Sequence, residues 1–400
     1  MTSIAASLGQ WAYDLQPTAD DLALASRSLT DTIAVTLAAR EHPVTKVSAG
    51  LSEPGRWATI GHVLDFDDLH MPSTTHVSAV CVPTALATSG GARGYLAAAG
   101  VMTRLGTALG WPHYSVGWHA TSTAGAPASA AGAAVAMGLS APEIATAMAL
   151  AVPAAGGVQR AFGSDAKSLQ VGFAVEAGIR AAHLAAAGAS ADHAALTQWL
   201  RLVGGDPDHL DVAGPVVPDG LAIKIYPCCY ALQRPIAAVA ELAASAGLDA
   251  ADVERIELRT PTATVVPLIH HQPDTGLQGK FSLEYAAAAA LLDRYPGFGS
   301  FTDDAVRRDA ARRLVALVET RLEPGGDWLL DGELTTTIQT RNGAVHRGSL
   351  RHPPGSPARP PSAEQLSAKI IECVAGLDTD WTSWTWQNAA GVLRRHLPGA

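Results

Sequence analysis

Across residues 3–39 apolar side chains recur at helical intervals, as at Trp11, Leu15, Leu22, Ala25, Leu29, Ile33 and Leu37, with a break near Pro17. Steps of three and four residues put them on one face, so this stretch is predicted to be helix. From residue 78 to 200 the composition shifts: alanine and glycine dominate 82–109, 124–138, 142–152 and 171–188. Alanine is the strongest helix former, and small side chains let helix axes approach closely. These segments are predicted as interior helices. No strand is predicted before about residue 220.

Alternation then takes over. Residues 255–260 read as a half-buried strand, and 334–340 meets a second alternating run, 345–350, across Asn342-Gly343. That dipeptide is a strong hairpin signal. Helices are predicted between them at 236–246, 283–292 and 304–320. The Pro-rich stretch 352–361 reads as a linker, and Ser362 is a suitable N-cap for one more helix. The pattern gives an all-helical first half, a mixed α+β module at about 225–355, and a helical tail expected to pack back on the first domain.

Composition narrows the class. A chain of 400 residues can bury a large core and would usually divide into two domains. Hydrophobic residues reach 48% and charged residues 16%, which fits a compact protein and not a disordered one. A formal charge of −9 with no Lys/Arg stripe argues against a nucleic-acid partner. The start of the chain lacks the basic and apolar run of a secretory signal. Residues 128–152 are broken by Pro142 and Glu143, so no membrane span is expected. Cys81, Cys228, Cys229 and Cys373 have no metal-binding spacing, and reduced thiols in a cytoplasmic protein are the expectation.

The densest chemistry lies in residues 64–76, which carry Asp65, Asp67 and Asp68, His70 and His76, and the hydroxyls of Ser73, Thr74 and Thr75. Carboxylates crowded together repel, so the cluster reads either as a solvated turn or as a working site. His76 precedes an apolar helix, and His119 in Gly117-Trp118-His119 stands at a similar start. Each could cap its helix or serve as an acid–base group beside the positive helix terminus. Lys167 interrupts two Ala-rich helices; it could pair with Asp165 or reach an anionic ligand, with Arg160 a weaker carboxylate binder. Tyr285 opens an Ala-rich helix and could be core or site. The segment from Lys224 to Tyr230, with its Tyr226-Pro227-Cys228-Cys229 run, could be a hinge or a ligand contact. No phosphate-binding glycine loop, dinucleotide fingerprint or nucleophile elbow is present, and His270-His271 has no partners at metal spacing. Acid–base chemistry by His, Lys, Tyr and Asp, with no metal and no organic cofactor, is the expectation.

These residues resemble the MmgE/PrpD family nearly end to end. The likeness rests on the segment from His62 through Asp65 and Asp68 to His76, on Gly117-Trp118-His119, on Phe162 to Lys167, on Lys224 to Cys229, on Lys280 to Tyr285, and on the hairpin with its Pro-rich linker. The resemblance implies a mainly α fold with an α+β second domain. A large helical domain would be built from 1–222 and 359–400, with a smaller lid domain at 223–358. It implies a homodimer, no cofactor, and a cleft that binds a small carboxylate substrate. The retained site residues it implies are Asp65, His76, His119, Lys167 and Tyr285; Arg160, Lys224 and Asp68 are expected beside them as substrate contacts. Gln170 and Gln233 stand where many relatives have histidine, and are expected to bind substrate. Leu69 often has Thr in its place, and the chain is short around 45–57. Glutamine can hydrogen-bond a carboxylate but cannot shuttle a proton near neutral pH. The activity implied is a lyase of the dehydratase type acting on a di- or tricarboxylate. An epimerase of the iminodisuccinate type or a decarboxylase of the cis-aconitate type is the alternative, and a non-catalytic binding relative comes last.

Overall fold

A helix that is apolar all round has to be surrounded, and the alanine-rich helices of this chain are. The computed structural model describes residues 3–324 and 331–397 and falls into two units. The first comprises Met1–Arg160, Asp165–Leu221 and Ala363–Ala400. Its helices begin with α1 Ile4–Asp14, α2 Ala19–Ala38, α3 Pro43–Val47, α4 Glu53–Val63 and α5 Val77–Ala87. They continue with α6 Gly91–Ser115, α7 Ala120–Ala136, α8 Ala141–Ala151, α9 Ala166–Ala186 and α10 Ala194–Leu202. Every residue of α7 from Ala120 to Val135 is buried, packed among α5, α6, α8 and α9.

The break near Pro17 is as the spacing predicts: Thr18 caps α2 and exchanges hydrogen bonds with Asp21. The segment 82–109 is not one helix. It splits between α5 and α6 where Ser89 and Gly91 take left-handed backbone, and α5 begins well upstream at Val77. Apolar periodicity does not register such a break, because both sides of it are buried.

The second unit comprises Ala161–Ser164 and Ala222–Ser362. It runs α11 Tyr230–Ala246, β1 Val253–Pro261, α12 Gly276–Gly279, α13 Leu283–Asp293, α14 Asp303–Arg307 and α15 Asp309–Val315. Then come β2 Val318–Glu323, β3 Leu334–Thr340 and β4 Val345–Leu350. Among the described residues the strands form one sheet in the order β2-β1-β3-β4. β1 pairs parallel with β2 and antiparallel with β3, which pairs antiparallel with β4. The β3–β4 hairpin closes at Asn342-Gly343, with Gly343 at φ 86. The helix predicted at 304–320 is a correction. It breaks at Arg308, whose backbone is extended, and Val318 onward is strand. Ion pairs such as Arg255–Glu319 at 2.6 Å knit β2 to β1 across an exposed face, so its charged residues hid a strand whose apolar side is only half-buried.

The chain ends with α16 Ala363–Cys373 and α17 Ala389–His396 in the first unit, where both pack on α2. The fold is mainly α with an α+β second unit. Among the described residues no helix is long and apolar enough to cross a membrane.

Candidate active site

α4 delivers His62 in its last turn, and the chain then turns sharply through Asp65 at φ 55. Thr74, later in the same segment, is also left-handed at φ 53. Backbone of this kind on non-glycine residues costs on the order of 1–3 kcal/mol and persists only where the surroundings dictate it. Here they do. His70 pairs with Thr75 through its backbone N–H at 2.8 Å, and its ring bridges Ser73 Oγ at 2.7 Å and the Pro218 carbonyl at 2.8 Å. Gly106 on α6 admits this turn, since a Cβ there would sit 2.5 Å from Ser73 Cβ. From the other side Lys369 of α16 donates to the Phe66 carbonyl at 2.9 Å and lies 4.1 Å over the Phe66 ring. The same ammonium is 2.7 Å from Asp31, buried on α2. Phe66 separates Asp65 from Asp67, so this clamp fixes both carboxylates.

The side chains that meet are His62, Asp65, Asp67, His76, His119 and Lys167, all buried. One oxygen of Asp67 serves two imidazoles: Oδ2 is 2.7 Å from His62 Nδ1 and 3.0 Å from His76 Nδ1. Lys167 Nζ donates to His62 Nε2 at 2.8 Å and lies 3.4 Å from Asp65 Oδ2. His76 Nε2 is 3.7 Å from Asp65 Oδ1. The His62 ring centroid is 4.6 Å from that of His76 and 5.6 Å from that of His119. His76 and His119 are the N-cap residues of α5 and α7, and Lys167 lies in the first turn of α9. Three helix N-termini therefore flank one cluster, an electrostatic setting that favours negative charge. The backbone N–H of His76 donates to Thr121 Oγ1 at 3.0 Å, which ties two of those termini together.

Burial holds His62 below the ordinary imidazole range, with the Asp67 carboxylate opposing it. It holds His119 well below that range, with His62 and Lys167 adding to the effect. Burial alone would raise Asp67, but His62 and His76 together outweigh it and keep its carboxyl well below the usual value. The geometry also fixes protons. An ammonium can only donate, so His62 Nε2 is an acceptor and its proton is on Nδ1, aimed at Asp67. His76 Nδ1 faces the same oxygen at an ion-pair distance of 3.0 Å, and a carboxylate there favours a proton on Nδ1, which would leave Nε2 as its basic nitrogen.

His62, Asp67 and His76 could offer one donor atom each within 4.8 Å, a set that would suit a divalent cation by residue type. The position of Lys167 does not fit that use. A cation on His62 Nδ1 would move the ring proton to Nε2, against the ammonium 2.8 Å away. The three are better described as a His62–Asp67 hydrogen bond with His76 in ion-pair contact with the same oxygen.

Of the other residues singled out in the sequence, Gln170 on α9 places its amide nitrogen 2.6 Å from His119 Nδ1. Asp68 is buried, and Ser78 donates to it from both backbone and hydroxyl at 3.0 and 2.5 Å. Burial raises its carboxyl to about 7. Arg160 is exposed in a short 3-10 turn. Tyr285, Lys224 and Gln233 belong to the second unit. The Tyr285 phenol donates to the Ser300 carbonyl, and burial pushes it up to about 12. With Gln272, Asp274, Val306 and Arg312 it lines a cavity of about 320 Å³ within that unit. Lys224 is fully buried. The Gln233 amide accepts from the N–H groups of Ile225 and Tyr226 at 3.0 Å and donates to the Tyr226 carbonyl at 2.8 Å, so it braces the Tyr-Pro-Cys-Cys turn. Sequence reasoning missed His62 and Asp67. The available signal was the presence of a histidine five residues before one of three clustered aspartates, but sequence alone does not say which aspartate faces the imidazoles.

A helical unit interrupted by an α+β unit, with imidazoles, carboxylates and one ammonium buried together, defines a class of mainly α proteins with a His–Asp–Lys centre. Residues 56–200 match the MmgE/PrpD N-terminal domain and residues 226–382 the MmgE/PrpD C-terminal domain, so the chain belongs to the MmgE/PrpD family. No curated protein matches it. Membership suggests a dehydratase-type or related enzyme.

Proposed function

We propose that the chain is a lyase of the dehydratase type that acts on a small di- or tricarboxylate by proton transfer from carbon. The observation that carries this reading is the single Asp67 oxygen shared by His62 and His76, with Lys167 at 2.8 Å on the far nitrogen of His62. A base for a weakly acidic C–H must be neutral at working pH and held in one orientation. His76 Nε2 is suited to take that proton, and the imidazolium so formed can return it to the departing hydroxyl as the C–O bond breaks, so that water leaves and the base is regenerated. The negative charge left behind lies beside the Lys167 ammonium and the three helix N-termini, which favour it most where water is excluded. Asp65, 3.4 Å from Lys167, holds the ammonium, and its other oxygen, 3.7 Å from His76 Nε2, would stabilise the imidazolium formed once that nitrogen takes the proton.

The test is incubation with a panel of four- to seven-carbon polycarboxylates in deuterated water, followed by NMR. Alkene formation with loss of water is the expected result. Deuterium entering recovered substrate with no alkene would replace the reading with an epimerase, and loss of carbon dioxide with a decarboxylase. A panel with no reaction and no exchange overturns it.

A further inference from the structure

Gln170 sits in a frame that leaves its amide one orientation. The Val158 N–H donates to its Oε1 at 3.0 Å, while its Nε2 lies 3.4 Å from the Val158 carbonyl. Turning the amide over would set N–H against N–H and oxygen against oxygen, so the assignment follows from the backbone. The group that Gln170 presents to His119 Nδ1, 2.6 Å away, is therefore an N–H. The Ser122 hydroxyl, at 3.0 Å from the same nitrogen, can donate as well. The frame is built around Gly157, at φ 121, whose carbonyl accepts from the backbone N–H of His119 at 3.0 Å. A Cβ on Gly157 would come within 2.7 Å of Ser122 Cβ and 3.2 Å of Gln170 Oε1.

We infer that Gln170 is a positioning residue that holds His119 as its Nε2–H tautomer, so that His119 presents a hydrogen-bond donor to the site and not a base. An imidazole whose Nδ1 accepts must carry its proton on Nε2. The depression of His119 by burial agrees, since a second proton is disfavoured there. Its role is to hold a substrate oxygen on which charge develops, with no net proton transfer, while His76 is the group that accepts. The assignment of roles rests on the lyase reading; the tautomer does not.

The two are tested separately by long-range proton–nitrogen NMR of the full chain labelled with nitrogen-15 histidine, with the His119 signals assigned by their loss in His119→Gln. Wild type is expected to show His119 protonated on Nε2. Gln170→Glu replaces the donor with a carboxylate and is expected to switch His119 to the Nδ1–H form. Gln170→Ala leaves the adaptable Ser122 hydroxyl facing Nδ1 and is expected to give a mixture, which keeps the test open if the glutamate variant does not fold. His119 protonated on Nδ1 in wild type overturns the inference, as does an unchanged Nε2–H form in both variants. Failure of the polycarboxylate panel with these spectra as expected would sink the lyase reading alone.

Discussion

His76 and His119 are both buried, both cap a helix, and both flank His62, yet their Nδ1 atoms meet opposite partners. His76 meets a carboxylate oxygen and His119 an amide N–H. The first arrangement leaves a lone pair on Nε2 and the second leaves a proton there. Two copies of one side chain thus become acceptor and donor without any difference in their own chemistry. The neighbour at the far nitrogen decides, which is why residue type alone could not assign acid and base.

The largest effect expected from disturbing this contrast is at Asp67. Asp67→Asn puts an amide where two N–H groups converge. Turnover should fall by ~10²–10⁴-fold, and stability by about 1–3 kcal/mol for the unsatisfied group. Kinetics and denaturant unfolding check both, and an unaltered rate would contradict the acceptor role of His76. Lys167→Met comes next. It removes the donor to His62 and leaves Asp65 without its ammonium, for a rate loss of ~10²–10³-fold, read in the same assay.

The pH dependence tests the neutrality of the imidazoles. Burial holds His62, His70, His113 and His119 low, to about 4 for His70 and His113. The unfolded chain takes up these protons near pH ~6.5 while the folded chain does not. Their contribution is complete above that pH and is lost as pH falls toward the folded values. Asp31 and Asp68 act oppositely: their folded values are raised, Asp68 to about 7, so their contribution is lost as pH rises and offsets part of the trend. Four histidines against two aspartates should lower the unfolding midpoint between neutral and mildly acidic pH; a profile that stays flat in the Asp31→Asn, Asp68→Asn double variant, where the opposing carboxyls are gone, would mean the imidazoles are already charged. Gly157→Ala should have the smallest effect, on the order of 1–3 kcal/mol of strain. It should perturb the His119 signals and leave those of His62 and His76 in place, because the clamp on their turn is Lys369, not Gly157.

Much of the fold was legible because its signals are local. The Asn342-Gly343 hairpin, the break near Pro17 and the apolar stripe of α1 and α2 each lie within a few residues. β2 was not legible, since its pairing with β1 is set by partners some sixty residues away. At the site, His76, His119 and Lys167 could be proposed from charged groups among small apolar ones, and Asp65 from the family resemblance. The role of Asp67 depends on a left-handed turn at Asp65, and that of Gln170 on a frame made by Val158 and Gly157. Neither leaves a mark in residue spacing. The clamp from Lys369 to Phe66 spans 303 positions and was equally hidden.

The most direct test compares His76→Gln with His119→Gln on the substrate found by the panel, with deuterium incorporation and alkene followed together. A glutamine amide can donate where His119 Nε2–H does but cannot accept a proton as His76 must. His119→Gln is therefore expected to keep turnover within ~10-fold of wild type, and His76→Gln to lose ~10²–10⁴-fold in both exchange and turnover. Equal loss in the two variants, or the reverse order, would contradict the division of roles.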